Sequence, residues 1–169
     1  YSLTSPPIWL APGTTATLSF SRWLQSDYIP FMSSSIEVYD GSNWISLFQN
    51  ANACIIDNSW QSISYDVSAY ANPAFRVRFS YTASNNVYNM PSWSIDNVRV
   101  TIPATSTTRF ADNFSNGTSR GWTLDTDWQI GGAITSIRSA ISKPGVSAST
   151  TKAETPLAPG ASSVRAKTT

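Results

Sequence analysis

Few residues in this chain are capable of acid–base or nucleophilic work, and their types already exclude most mechanisms. Histidine is absent and glutamate occurs only at Glu37 and Glu154. A Ser-His-Asp or Cys-His relay, a His-ligated zinc and most general-base chemistry near neutral pH therefore have no carrier. Asp125 and Asp127 stand two residues apart. On a strand they point the same way, and no third group splits their pKa values as a hydrolase pair requires, so they read as a solvated face. The single Cys54 lies in the run Ala53-Cys54-Ile55-Ile56, where a buried thiol acting as a small hydrophobe is expected in place of a nucleophile. No catalytic residue is assigned, and the chain is expected not to be an enzyme.

Binding chemistry is better supplied. Trp44 adjoins the polar turn Asp40-Gly41-Ser42-Asn43. An indole face matches the apolar face of a pyranose, so Trp44 with Asp40 and Asn43 is the candidate glycan site. The other tryptophans, at 9, 23, 60, 93, 122 and 128, are expected mainly in a core. Asn113-Phe114-Ser115 and Asn116-Gly117-Thr118 are adjoining sequons, making Asn113 and Asn116 candidate glycosylation sites if the chain meets a glycosylating pathway.

Composition sets the surroundings in which such residues act. Of 169 residues 12% are charged, the formal net charge is +1 and 46 are Ser or Thr. That is too weak a field to hold a polyanion, so nucleic acid is not an expected partner. No apolar run approaches the length of a membrane span, and no basic start followed by an apolar stretch reads as a signal peptide. Membrane insertion is not expected. Hydroxyl and amide side chains in place of Lys and Glu, with many aromatics and frequent Gly and Pro, are the habits of secreted β-proteins; an extracellular or cell-surface location is expected.

The elements that position these residues follow from period-2 alternation. Ala16, Leu18 and Phe20 alternate with Ser and Thr between Thr15 and Leu24. Ile36-Glu37-Val38-Tyr39 and Trp44-Ile45-Ser46-Leu47-Phe48 flank an Asp-Gly turn and predict a hairpin. Strands are also expected within Trp60 to Tyr70 and over Phe75 to Tyr81. In Trp93 to Val100 the apolar set moves from odd positions (Trp93, Ile95) to even ones (Val98, Val100), which predicts a bulge at Asp96-Asn97. No 3.6 period persists, so little helix is expected. Thr101 to Arg109 is rich in Ser, Thr and Pro, placing a boundary near residue 105. Beyond it Phe110-Ala111-Asp112-Asn113-Phe114, Gly121-Trp122 and Trp128-Gln129-Ile130-Gly131 begin a new pattern. The stretch Leu10-Ala11-Pro12-Gly13 recurs as Leu157-Ala158-Pro159-Gly160, each copy preceding a strand-like segment.

The first of these blocks, from Ser2-Leu3-Thr4-Ser5-Pro6 through Trp93-Ser94-Ile95-Asp96-Asn97-Val98, resembles the second half of a MAM-like jelly-roll module of the kind found on bacterial secreted proteases of the immune-inhibitor-A type. The block from Phe110 to Gly131 is similar to the first half of the same module, so the halves stand in inverted order. The resemblance implies an all-β, two-sheet antiparallel jelly-roll sandwich. It also implies a structural Ca²⁺ held near Asp96 and Asp112, which meet if the two halves close one jelly roll, although Asn97 and Asn113 stand where relatives often carry another acid.

Either half alone leaves strand edges unpaired and an apolar face wet. Three parts are expected: 1–102 as the main part of a jelly-roll sandwich, 103–109 as a linker, and 110–169 as the first half of a second, or partner-completing, module. The halves pair either within one chain, as a permutant, or between neighbours. The leading expectation is a non-enzymatic structural or adhesive module that assembles with copies of itself head to tail by strand exchange, into a fibre or surface layer. The alternative is a carbohydrate-binding or accessory module of a secreted bacterial enzyme, with glycans as partners.

Overall fold

The computed structural model describes residues 1–84, 92–102, 107–115, 117, 120–126 and 128–131 in full, and the backbone of 163–166. The strands are β1 (Ser2–Thr4), β2 (Thr17–Ser26), β3 (Met32–Tyr39), β4 (Trp44–Gln49), β5 (Ile55–Ile56), β6 (Gln61–Asp66), β7 (Arg76–Ala83), β8 (Ser92–Ile102), β9 (Thr107–Asp112), β10 (Thr123–Leu124), β11 (Trp128–Gly131) and β12 (Ser163–Ala166). One turn of 3-10 helix, Ser68–Tyr70, is the helical structure among the described residues.

The strands form two antiparallel sheets. One has the order β10-β1-β7-β3-β4. The other runs β11-β12-β8-β2-β5, with β6 also beside β2 and β9 beside β8. β2, β3, β4, β6, β7 and β8 are the strands that the alternation predicts, and the two-sheet, all-β sandwich is the one that the resemblance implies. In β3 the inward set Met32, Ser34, Ile36 and Val38 is buried and the outward set is half-exposed. In β7 Val77, Phe79 and Tyr81 do the same, because successive side chains on a strand leave opposite faces of the sheet.

The bulge falls where the change of phase places it. Ser19 opposes Arg99, but Ser21 opposes Asp96, so two steps on β2 meet three on β8. Asn97 takes up the extra residue at a φ of 52°, a left-handed conformation that Asn tolerates better than most residues. The shift lets Trp93, Ile95, Val98 and Val100 all reach the core with no exposed surface.

The expected linker needs correction over its last three residues. Thr107, Thr108 and Arg109 belong to β9, which pairs with β8 from Ile102↔Thr107 to Val98↔Asp112. A Thr-rich segment is a good strand as well as a good linker, since β-branched side chains suit a pleated surface. Residues 103–106 lie outside the described residues, as does the whole of the second Leu-Ala-Pro-Gly stretch, which precedes β12 in the chain.

The later strands therefore join the sandwich made by the earlier ones. β10 pairs with β1 through Leu3↔Leu124 and Thr4↔Thr123. Phe114, Trp122 and Trp128 are buried in the same core as Phe79, Tyr81 and Trp93. Their rings meet across the seam: Trp122 lies 6.3 Å from Phe79, and Trp128 lies 5.9 Å from both Tyr81 and Trp93. Such ring pairs contribute about 0.5–1.5 kcal/mol beyond the burial of their area.

Candidate functional site

The β3–β4 hairpin carries the three residues assigned to glycan binding. Its turn is closed from within. Asp40 Oδ1 accepts from the backbone N–H groups of Ser42 (2.8 Å) and Asn43 (2.7 Å), and those two donors, Asn43 first, hold its carboxyl below the usual carboxylate range. The Asp40 N–H donates to the Asn43 carbonyl at 3.0 Å. Asp40 and Asn43 are thus joined by the turn, and Asp40 Oδ1 is spent on it.

Trp44 begins β4 and points outward, opposite Tyr39. One face of its indole is occupied by the Arg78 guanidinium, 4.0 Å from the ring centroid, and the Tyr39 ring lies 5.5 Å away. Arg78 Nε also donates to Glu37 Oε2 at 2.9 Å. Arg78, Glu37, Tyr39 and Trp44 make one interlocked patch on the outward face of the five-stranded sheet. Stacking and a carboxylate together use both the planar face and the Nε–H edge of the guanidinium.

The other tryptophans divide by position. Trp93, Trp122 and Trp128 are core residues, whereas Trp9 is 57% exposed. Trp23 and Trp60 are half-buried and pack edge to face at 5.9 Å.

Asp96 and Asp112, separated in sequence by the boundary, are brought into electrostatic contact by the β8–β9 pairing. Burial, with a smaller contribution from the Asp112 charge, lifts the Asp96 carboxyl to about 6 against the lowering effect of the Asn97 N–H. Asp96 Oδ1 accepts from that N–H at 2.6 Å. Asp112 is buried and spends both oxygens: Oδ1 accepts from Phe114 N–H at 2.8 Å and Oδ2 from the Trp122 indole N–H at 3.2 Å. Calcium asks for six to eight oxygens. Among the described residues no group of three acids, histidines or cysteines forms. Asp112 is a polar clamp that fixes Phe114 and Trp122 at the seam.

Asn113 is exposed, and its Oδ1 accepts from the Ser115 N–H (3.2 Å) and hydroxyl (2.8 Å). Asn116 lies outside the described residues, as does Asp127. Asp125 closes a turn, accepting from Thr126 N–H at 2.7 Å.

Cys54 departs from expectation. It is exposed, because residues 51–54 form the surface connection into the two-residue β5 and never enter the core; Ile56 is itself 60% exposed. Partial desolvation and the Asp27 carboxylate, with Sγ 3.5 Å from Oδ1, raise the thiol above its ordinary range, which disfavours the nucleophilic thiolate.

Two polar groups that alternation does not reveal organise the framework around these sites. Arg22 occupies an inward position on β2 and forks onto Asp57 at 3.0 and 3.1 Å, while Asp57 Oδ2 also accepts from Leu24 N–H at 2.8 Å. The buried Asn50 accepts from Ser34 N–H at 2.7 Å and donates to the carbonyls of Asp27 and Met32. The one sequence signal for Arg22 is its place on the apolar side of β2, between Phe20 and Leu24. Neither the protein-family models nor the curated proteins contain a match to this chain.

Proposed function

We propose that this chain is a non-enzymatic structural or adhesive module of the extracellular space, assembling head to tail by exchange of its later strands between copies. One observation carries the reading. The contribution of 107–131 to the sandwich is made of strand edges and buried aromatics, with β9 on β8, β10 on β1, and Phe114, Trp122 and Trp128 in the common core. A seam of this kind is complete whether the two parts come from one chain or two, and trading an identical element between copies needs no new contacts. An open series of such trades is a filament. The Ser/Thr-rich, weakly charged composition supports the extracellular assignment, and the lack of histidine supports a role without catalysis.

Thr4 and Thr123 are directly opposed across the β1–β10 pair, within reach of a disulfide. A T4C/T123C chain, with Cys54→Ser, closes the seam within one molecule. Sedimentation over a wide concentration range should show higher oligomers for the unlocked chain and monomers for the oxidised one. Monomers at every concentration without the lock, or oligomers that persist with it, would overturn strand exchange.

A further inference from the structure

The outward face of the five-stranded sheet holds a second polar surface, separate from the turn that carries Trp44. The registers Ser2↔Ser80 and Ser35↔Ser80 put three hydroxyls on one rung, and Ser33 and Thr82 form the next. Asp125 follows β10, its N–H donating to the Ser2 carbonyl at 3.0 Å. Together these residues line an open trough of about 160 Å³. That volume is on the scale of the roughly 150 Å³ cavity that admits a six-membered ring such as benzene. The Tyr1 ring, 47% exposed, stands at its lip.

The lining is uncommitted in a way that most polar groups of this fold are not. Ser5, Ser26 and Ser68 spend their hydroxyls on the backbone. Ser33 accepts from Gln49 Nε2 at 3.3 Å. The hydroxyls of Ser2, Ser35, Ser80 and Thr82 make no side-chain hydrogen bond among the described residues, and Asp125 uses only Oδ1, on Thr126.

We infer that this trough binds a neutral oligosaccharide, seating one sugar ring between Ser2, Ser35, Ser80 and Asp125. Serine hydroxyls both donate and accept, as sugar hydroxyls do, and a carboxylate accepts from neighbouring ring hydroxyls. Tyr1 offers an aromatic face to the apolar side of a ring. Among the described side chains that line the trough the one charged group is the Asp125 carboxylate, and the guanidinium of Arg78, two residues along β7 from Ser80, is already paired with Glu37, so anionic sugars are disfavoured. From Thr82 and Ser33 to Arg76 and Tyr39 the same face continues for three side-chain repeats, about 20 Å, long enough for neighbouring rings of a chain. The trough belongs to each complete sandwich, so the inference does not depend on strand exchange.

The test is calorimetric titration of the full chain with neutral oligosaccharides (glucan, mannan, galactan and chitin fragments) and with sulfated and uronic-acid fragments. Ser35→Tyr and Ser80→Tyr fill the trough from outward positions, and S64Y places the same bulk on the outward face of the other sheet as a control. At least one neutral fragment should bind. Its affinity should fall by at least about tenfold in both trough variants and stay unchanged in Ser64→Tyr, with unaltered thermal midpoints showing that each variant is folded. If one trough variant fails to fold, the other with Asp125→Ala decides. No binding of any neutral fragment at millimolar concentration, a preference for anionic fragments, binding that survives trough filling, or loss confined to Trp44→Ala would each overturn it.

Discussion

Burial and the neighbouring Asp112 charge lift the Asp96 carboxyl to about 6, from the ordinary aspartate value of 3.8. Between about pH 4 and 6 the folded chain therefore keeps a proton that the unfolded chain has released, and the contribution of this group to stability falls as pH rises through that window. Asp96→Asn keeps the oxygen that accepts from Asn97 and removes the charge. Urea unfolding of the variant should show a flatter pH profile over that interval and higher stability than the parent at pH 7. Asp57 compensates a cation, the Arg22 guanidinium. Asp57→Ala strands the Arg22 guanidinium and the Leu24 N–H together, and a loss of about 3–5 kcal/mol is expected from chemical denaturation. Asp96 and Asp112 meet because β9 pairs antiparallel with β8; in the sequence that meeting was only what a resemblance implied, since no local pattern announces β9. The Arg22–Asp57 pair was not legible, since an arginine on the apolar side of a strand gives no local sign of the carboxylate, 35 residues away, that will receive it. Cys54 was misplaced because three apolar neighbours look like core when the length of the strand that holds them is unknown.

At the scale of elements, alternation carried most of the fold. The hairpin with its Asp-Gly turn, the β7 strand and the bulge in β8 all follow from which positions are apolar, because burial on one face sets register to the single residue. Alternation was silent where a segment is short or hydroxyl-rich. β5 and β10 have two residues each, and the Thr-rich start of β9 has no apolar period to distinguish a strand from a linker. The candidate glycan site divides in the same way. Trp44 was found by type, but its partner Arg78 lies two strands away across β3, and the trough exists only because β10 places Asp125 beside Ser2. Trp122 links these elements, touching Phe79, Phe110 and Phe114 and donating to Asp112. Trp122→Ala should cost about 3–5 kcal/mol. Trp122→Phe should recover most of the packing but leave Asp112 Oδ2 without its donor, so its midpoint in a denaturant titration should fall between those of the parent and the alanine variant.

At the scale of the whole molecule, a core shared by 1–102 and 107–131 implies one cooperative unit. Hydrogen exchange should show the β8 and β9 amides opening together with those of β2, and a chain ended after residue 102 should lose the sharp unfolding transition of the longer one, because Phe79, Tyr81 and Trp93 lose the rings that cover them. A truncated chain with an undiminished transition would show instead that the first 102 residues are self-sufficient. The seam also equips the molecule with an optical clock. Trp93 and Trp128 stand 5.9 Å apart, one on each side of the join, with indole nitrogens that make no hydrogen bond among the described residues. Two chromophores so close couple their transitions, and in a dry setting they emit toward the blue. The moment at which the late strands arrive, from the same molecule or from a neighbour, is therefore written into the protein's own ultraviolet spectrum and can be followed in a stopped-flow cuvette without attaching a dye.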